Sequence, residues 1–195
     1  MAKSSILLEP PKNFSKEEKR NWKRKRNFII RPIVIITTVN KEGAPNAALK
    51  TNVLSVDSLR KVAFVCDPEH DTYRNIVTNK EFVVNIPDES IIRETLATAI
   101  SFPPKINELE KAGLTPIPSE KVKPPRIKEC KVHYECVCKW IKDNIILGEI
   151  VSASADREIL KGKGLHKLML ILGNPAQYAL VGGMKRFPKS ILESK

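Results

Sequence analysis

No stretch of this 195-residue chain holds the ~18 consecutive apolar residues that a membrane-crossing helix requires. The apolar centre of residues 1–10, Ile6-Leu-Leu8, is too short for a secretory signal. The expectation is therefore a soluble, cytoplasmic protein. Histidine is scarce: His70, His133 and His166 show no local spacing that proposes a metal site or a Ser/His/Asp set, so hydrolysis has no specific support and no catalytic residue is assigned. Glycine-rich phosphate loops are missing as well. The single GxG, Gly162-Lys-Gly164, follows no clear strand and lacks the third glycine of the dinucleotide fingerprint, and there is no Walker-type loop. Internal repeats and low-complexity linkers are also absent.

Four cysteines remain, three of them within Cys130-Lys-Val-His-Tyr-Glu-Cys-Val-Cys138. The segment has the look of a metal site, but it also reads as a strand of period two, with Cys130, Val132, Tyr134, Cys136 and Cys138 on one face and His133 and Glu135 on the other. Residues two apart on a strand are separated by about 6.6 Å, whereas two sulfurs on one zinc are at most about 4.6 Å apart. Buried thiols in a reducing compartment are the expectation, with no metal.

With 42% hydrophobic and 29% charged residues, the chain is suited to burying the core of one medium-sized domain. Its net charge of +12 is unevenly placed: residues 1–31 carry ten Lys/Arg against three Glu, which is +7. The expected division is a basic arm over 1–26 and a domain over 27–195. Within the arm, residues 16–26 form a helix after a Ser15 cap, with Phe14 and Trp22 as apolar anchors. A solvated helix whose aromatics dock on the domain or on a second subunit is favoured over a nucleic-acid or acidic partner.

The domain reads as mainly β with inserted helices. Strands are expected at 33–39, 46–55, 62–66, 81–86, 127–141, 145–151 and 178–181, with hairpin turns at 40–43 and 142–144. Helices are expected at 71–80, at 90–100 with Ser90 as cap, and within 158–171. Six of the fourteen prolines fall between residues 101 and 126 and break regular structure there. Short strands with hairpin turns point to a small closed barrel with helical decoration rather than an alternating βαβ sheet.

Two polar clusters stand out against this background. Lys50-Thr-Asn52 interrupts the second strand, and His70-Asp-Thr72 with Arg74 and Asn75 opens the first helix of the domain. Asp71 and Thr72 would cap that helix. A Lys, an Arg, hydroxyls and helix N–H groups at one point would equally suit a phosphate.

The order of short motifs resembles a known family. Arg31-Pro32 precedes a Val/Ile/Thr strand, and Asn46-Ala-Ala48 opens a polar strand ending at Ser55. Then come Asp71-Thr-Tyr-Arg-Asn-Ile76, Glu81-Phe-Val-Val-Asn-Ile-Pro87, Lys111-Ala-Gly-Leu-Thr-Pro116 and Pro125-Arg-Ile-Lys-Glu-Cys130. Over residues 27–181 this resembles the flavin reductase-like, FMN-binding split-barrel proteins, flavoredoxin among them. There are departures: a second strand shorter by about two residues, Leu59-Arg60 where a Pro-Pro pair is common, and Ser101-Phe-Pro-Pro-Lys105 in place of a Gly-rich stretch.

The resemblance implies a homodimeric split β-barrel with FMN near the subunit interface. It carries over cofactor contacts to Lys50, Thr51, Asn52, Asp71, Thr72, Arg74 and Asn75. It also implies an oxidoreductase that passes electrons from NADH, NADPH or a protein donor to flavin, iron or a protein acceptor. A flavin-binding electron carrier without turnover is the first alternative, and a nucleic-acid-binding barrel using the arm is a weaker one.

Overall fold

In the computed structural model, residues 9–25, 29–58, 60–100, 107–171 and 178–182 are described. Helix α1 (Lys16–Lys25) comes first. Its start is a reciprocal capping box: the Glu18 amide donates to Ser15 Oγ at 3.2 Å and the Ser15 amide to Glu18 Oε2 at 2.8 Å. Phe14 and Trp22 pack edge to face on each other, with ring centroids 5.6 Å apart. Residues 1–8 and Arg26 of the arm lie outside the described residues, as do Leu59 and residues 101–106.

The following strands are β1 (Arg31–Pro32), β2 (Val34–Val39), β3 (Pro45–Lys50), β4 (Val53–Val56) and β5 (Lys61–Val65). Helix α2 (Asp71–Asn79), strand β6 (Glu81–Ile86), α3 (Ile92–Ala97) and α4 (Glu108–Lys111) come next. The chain closes with β7 (Pro116–Ile117), β8 (Arg126–Ile127), β9 (Val132–Lys142), β10 (Ile145–Ala155), α5 (Arg157–Leu160), β11 (Met169–Ile171) and β12 (Ala179–Leu180).

Seven strands form one antiparallel sheet in the order β3-β2-β6-β9-β10-β5-β4. The two edge strands are consecutive in the chain, separated only by Thr51 and Asn52. A chain that leaves one edge and enters the other within two residues obliges the sheet to curl until the two edges come close at that junction. The expected single strand over 46–55 is therefore two strands: β3 pairs with β2, and β4 pairs with β5. Asn52 holds this seam, donating from Nδ2 to the Val65 carbonyl at 2.9 Å.

The inner face carries Val34, Ile36, Val62, Phe64, Phe82, Val84, Cys136, Cys138 and Ile146, with Ile76 of α2 packed against them. A second cluster on the outer face joins Ile35 and Ala47 to Leu109, Leu114, Ile127 and Cys130. Strand β2 is thus buried on both faces, which is why it reads as an unbroken β-branched run. Buried polar groups fasten the outer layer. Asn85 donates to the Ile35 carbonyl and Thr37 Oγ1 and accepts the Ile127 amide at 3.0 Å. Glu135 accepts the Glu120 and Lys121 amides, and His133 meets the Ile127 carbonyl at 2.8 Å.

Three local expectations are corrected. The strand expected over 127–141 begins at Val132, and residues 126–127 are a separate strand paired with β7. Cys130 sits in the tight turn between them, so it joins the outer cluster, away from Cys136 and Cys138. Its thiol and that of Cys136 are both pushed far up by burial. The segment at 90–100 is capped by Asp88, whose carboxylate accepts the Ser90 amide at 3.0 Å, and Ser90 lies inside the opening 3-10 turn. Residues 158–171, expected as loop and helix, end in strand β11 instead.

Candidate functional site

Along the free edge of β3 runs a cleft of about 510 Å³, bordered by the start of α2, residues 98–100 and α4. Period two puts Asn46, Ala48 and Lys50 on one side of β3, while Ala47 and Leu49 turn into the outer clusters. The edge amides of β3 are covered from across the cleft: Ala47 donates to Glu108 Oε2 at 2.8 Å and Leu49 to the Thr98 carbonyl at 3.3 Å.

One wall of the cleft is a chain of hydrogen bonds. Asn75 Nδ2 donates to Thr38 Oγ1, and the Thr38 and Thr72 hydroxyls both donate to Asn46 Oδ1. Asn46 Nδ2 in turn donates to Glu108 Oε2 at 2.6 Å. Burial raises the Glu108 carboxyl above its ordinary range; the nearby Asp71 carboxylate adds to this, and the Ala47 and Asn46 hydrogen bonds oppose it.

At the other end, Lys50 Nζ lies 3.4 Å from His70 Nδ1. The expected caps of α2 do not form. His70 is the cap residue, in extended backbone conformation with no side-chain bond to the helix. Asp71 sits one position too late to cap and accepts from Arg74 at 2.5 Å, while Thr72 turns to Asn46. Tyr73 and Arg74 direct their amides to the His70 carbonyl, which leaves the Asp71 and Thr72 amides without an acceptor among the described residues. Burial pushes the thiol of neighbouring Cys66 up, with Lys50 pulling the other way.

Of the residues singled out from sequence, Lys50, Asp71, Thr72 and Arg74 line this cleft. Thr51 and Asn52 lie at the barrel seam, and Asn75 is buried behind the wall against Thr38. Reading the sequence did not put Asn46, His70, Thr98 or Glu108 among the site residues. Asn46 and His70 belong to motifs that stood out in the sequence, though neither was assigned a contact, whereas nothing local to Glu108 marks it, since its partners are 61 and 62 residues away.

Residues 26–172 match the family described as "Flavin reductase like domain". The chain belongs to the flavin reductase-like family. An uncharacterised protein of Aquifex aeolicus (strain VF5) is 38% identical over 140 residues, covering 67% of this chain and 71% of that one. Among solved structures, this flavin reductase-like chain is similar to a protein with a split barrel domain from Shewanella frigidimarina NCIMB 400. The TM-score is 0.79 at 22% identity, over 91% of this chain and 99% of that one. It is also similar to nitrilotriacetate monooxygenase component B from Bacillus cereus, with TM-score 0.79 at 26% identity, over 95% of this chain and all of that one (100%). The curled seven-stranded sheet is therefore a split barrel, and the family ties the protein to flavin-related redox chemistry. Among the described residues no helix is long and apolar enough to cross a membrane.

Proposed function

We propose that this protein binds FMN in the cleft beside β3 and α2. It works as an oxidoreductase, taking electrons from NADH, NADPH or a protein donor and passing them to flavin, iron or a protein acceptor. The observation that carries this is the approach of Lys50 and His70 at the open first turn of α2. A cationic ammonium, an imidazole and unfilled helix amides together form a donor set suited to a phosphate. Arg74, held by the Glu69 carbonyl and Asp71, adds positive charge in the same turn. Ala48, Ala99 and Ile100 offer apolar surface for a ring, and about 510 Å³ is within the range of ~300–1,000 Å³ common for cofactor sites.

When bound, FMN supplies the two-electron redox chemistry, and the protein supplies position and electrostatics. In this assignment Lys50 and the Asp71 and Thr72 amides hold the phosphate, and Arg74 and Asp71 stiffen the turn. Thr51, Asn52 and Asn75 shape the seam and wall behind it. The similarity to a monooxygenase component supports including a protein among the acceptors.

A homodimer belongs to the same proposal. Leu54, Ala63, Leu147 and Trp140 stand in register across β4, β5, β10 and β9 on the outer face, with Leu54 65% and Trp140 47% exposed. Such an apolar row suits a second copy. Four free cysteines agree with a reducing, cytoplasmic setting. The basic arm over 1–26 is proposed as a segment outside the barrel unit over 27–195, and nucleic acid is not the favoured partner.

The test is an absorption spectrum of protein freed of excess FMN, followed by flavin titrations of Lys50→Met. Loss of a charge-assisted phosphate bond of about 1.5–3 kcal/mol weakens FMN at least ten-fold and leaves riboflavin, which has no phosphate, unchanged. Wild type that retains no flavin, or equal losses for both ligands, overturns the assignment. Bleaching of the bound flavin by NADH or NADPH separates turnover from simple electron carriage.

A further inference from the structure

We infer that Glu108 is the residue with which the cleft receives the hydroxyl groups of the ribityl chain of a bound flavin, an inference that rests on the FMN reading above. A ribityl chain presents several O–H donors between phosphate and ring, and these need acceptors once water is displaced. Most of the polar wall is already committed to itself. Asn46 Oδ1 takes the Thr38 and Thr72 hydroxyls, and Thr38 Oγ1 takes the Asn75 amide. The chain of bonds ends at Glu108, whose Oε2 accepts from Asn46 and from the Ala47 backbone. Its Oε1 has no partner among the described residues, and the two bonds on Oε2 fix the carboxylate plane.

Position agrees with this role. Asn46, beside Glu108, and Lys50, at the cationic end, are four residues apart on one side of β3, a span of about 13 Å. Glu108 thus lines the same cleft as Lys50 but stands away from the cationic end that takes the phosphate. Electrostatics agree too: a half-buried carboxylate facing the Asp71 carboxylate gains from any neutral donor brought to it.

Glu108→Gln is a clean perturbation. The Gln carbonyl oxygen can still accept both Asn46 and Ala47, and the amide group then replaces the open acceptor with a donor. The experiment measures dissociation constants of FMN, riboflavin and lumiflavin by quenching of flavin fluorescence, alongside the melting temperature. The expected result is about ten-fold weaker FMN and riboflavin, with lumiflavin, which has no ribityl chain, within about two-fold of wild type. Glu108→Asp, which withdraws the carboxylate by one methylene, gives the same ordering and stands in if the Gln variant melts early. Unchanged FMN and riboflavin affinity, or an equal loss for lumiflavin, overturns the inference. Wild type that binds none of the three flavins refutes the FMN reading itself, a distinguishable result.

Discussion

Replacing Gly148 with alanine is expected to destabilise the barrel through lack of space. A Cβ on Gly148 would lie 2.3 Å from Phe82 Cζ, 2.7 Å from Phe82 Cε1 and 3.3 Å from Cys136 Cβ. Carbon atoms rest at about 3.5–4.0 Å, so the Phe82 ring would have to retreat by more than about 1 Å. It has nowhere to go: Phe82 is fully buried and packs edge to face on Phe64, with centroids 5.4 Å apart. Overpacking of this kind costs about 1–3 kcal/mol, and the two very short contacts put Gly148→Ala at about 2–3. Unfolding entropy of about 2.1 cal/mol/K per residue gives about 0.4 kcal/mol/K for this chain, hence a fall in Tm of about 5–7 °C. The assay is thermal denaturation followed by circular dichroism, with Phe82→Leu added to make a double-mutant cycle. Because Leu vacates the space that the new methyl needs, the double variant should lose less than the two single losses combined. Melting of Gly148→Ala within about 1 °C of wild type, or strict additivity with Phe82→Leu, would refute the reasoning.

His133 gives a pH prediction. Burial depresses its pKa, with the Arg126 charge adding to the effect and the Ile127 carbonyl opposing it. A carbonyl can only accept, so neutral His133 carries its proton on Nε2, and Nδ1 accepts from Ser154, 3.1 Å away. The unfolded chain binds a proton near pH ~6.5 that the folded chain resists, so this stability is complete above about 6.5 and is lost as pH falls toward the folded value. Tm should fall between about pH 7.5 and about pH 5.5, and less steeply in His133→Gln, whose amide can replace the Nε2 donor; equal slopes would count against the assignment. For the proposed dimer, sedimentation velocity should find wild type at twice the chain mass and Trp140→Glu as monomer, whereas a monomeric wild type would rule out the proposed interface.

Local sequence was enough where a segment's partners lie close in the chain. The β2–β3 turn, helix α2 and strand β6, found within a residue of the expected bounds, follow from β-branched runs, a polar turn and short-range periodicity. The Asp143-Asn144 turn takes positive φ at both residues, as a tight hairpin demands. Lys50, Asp71, Thr72 and Arg74, which line the cleft, stood out in sequence because each belongs to a polar cluster interrupting an apolar pattern.

What folding alone decided depends on distant partners. The break at Thr51-Asn52 exists because β3 and β4 serve opposite edges of a sheet that must close on itself, a constraint no ten-residue window contains. Cys130 left its expected face because β8 pairs with β7 and ends the run before Val132. Asn52 and Asn75 look like ligand groups in sequence, yet the fold turns their amides to Val65 and Thr38. Glu108, in a proline-rich stretch with no chemical signature of its own, reaches the cleft because the outer cluster lays α4 against the free edge of β3. There the carboxylate takes an amide that no further strand among the described residues pairs.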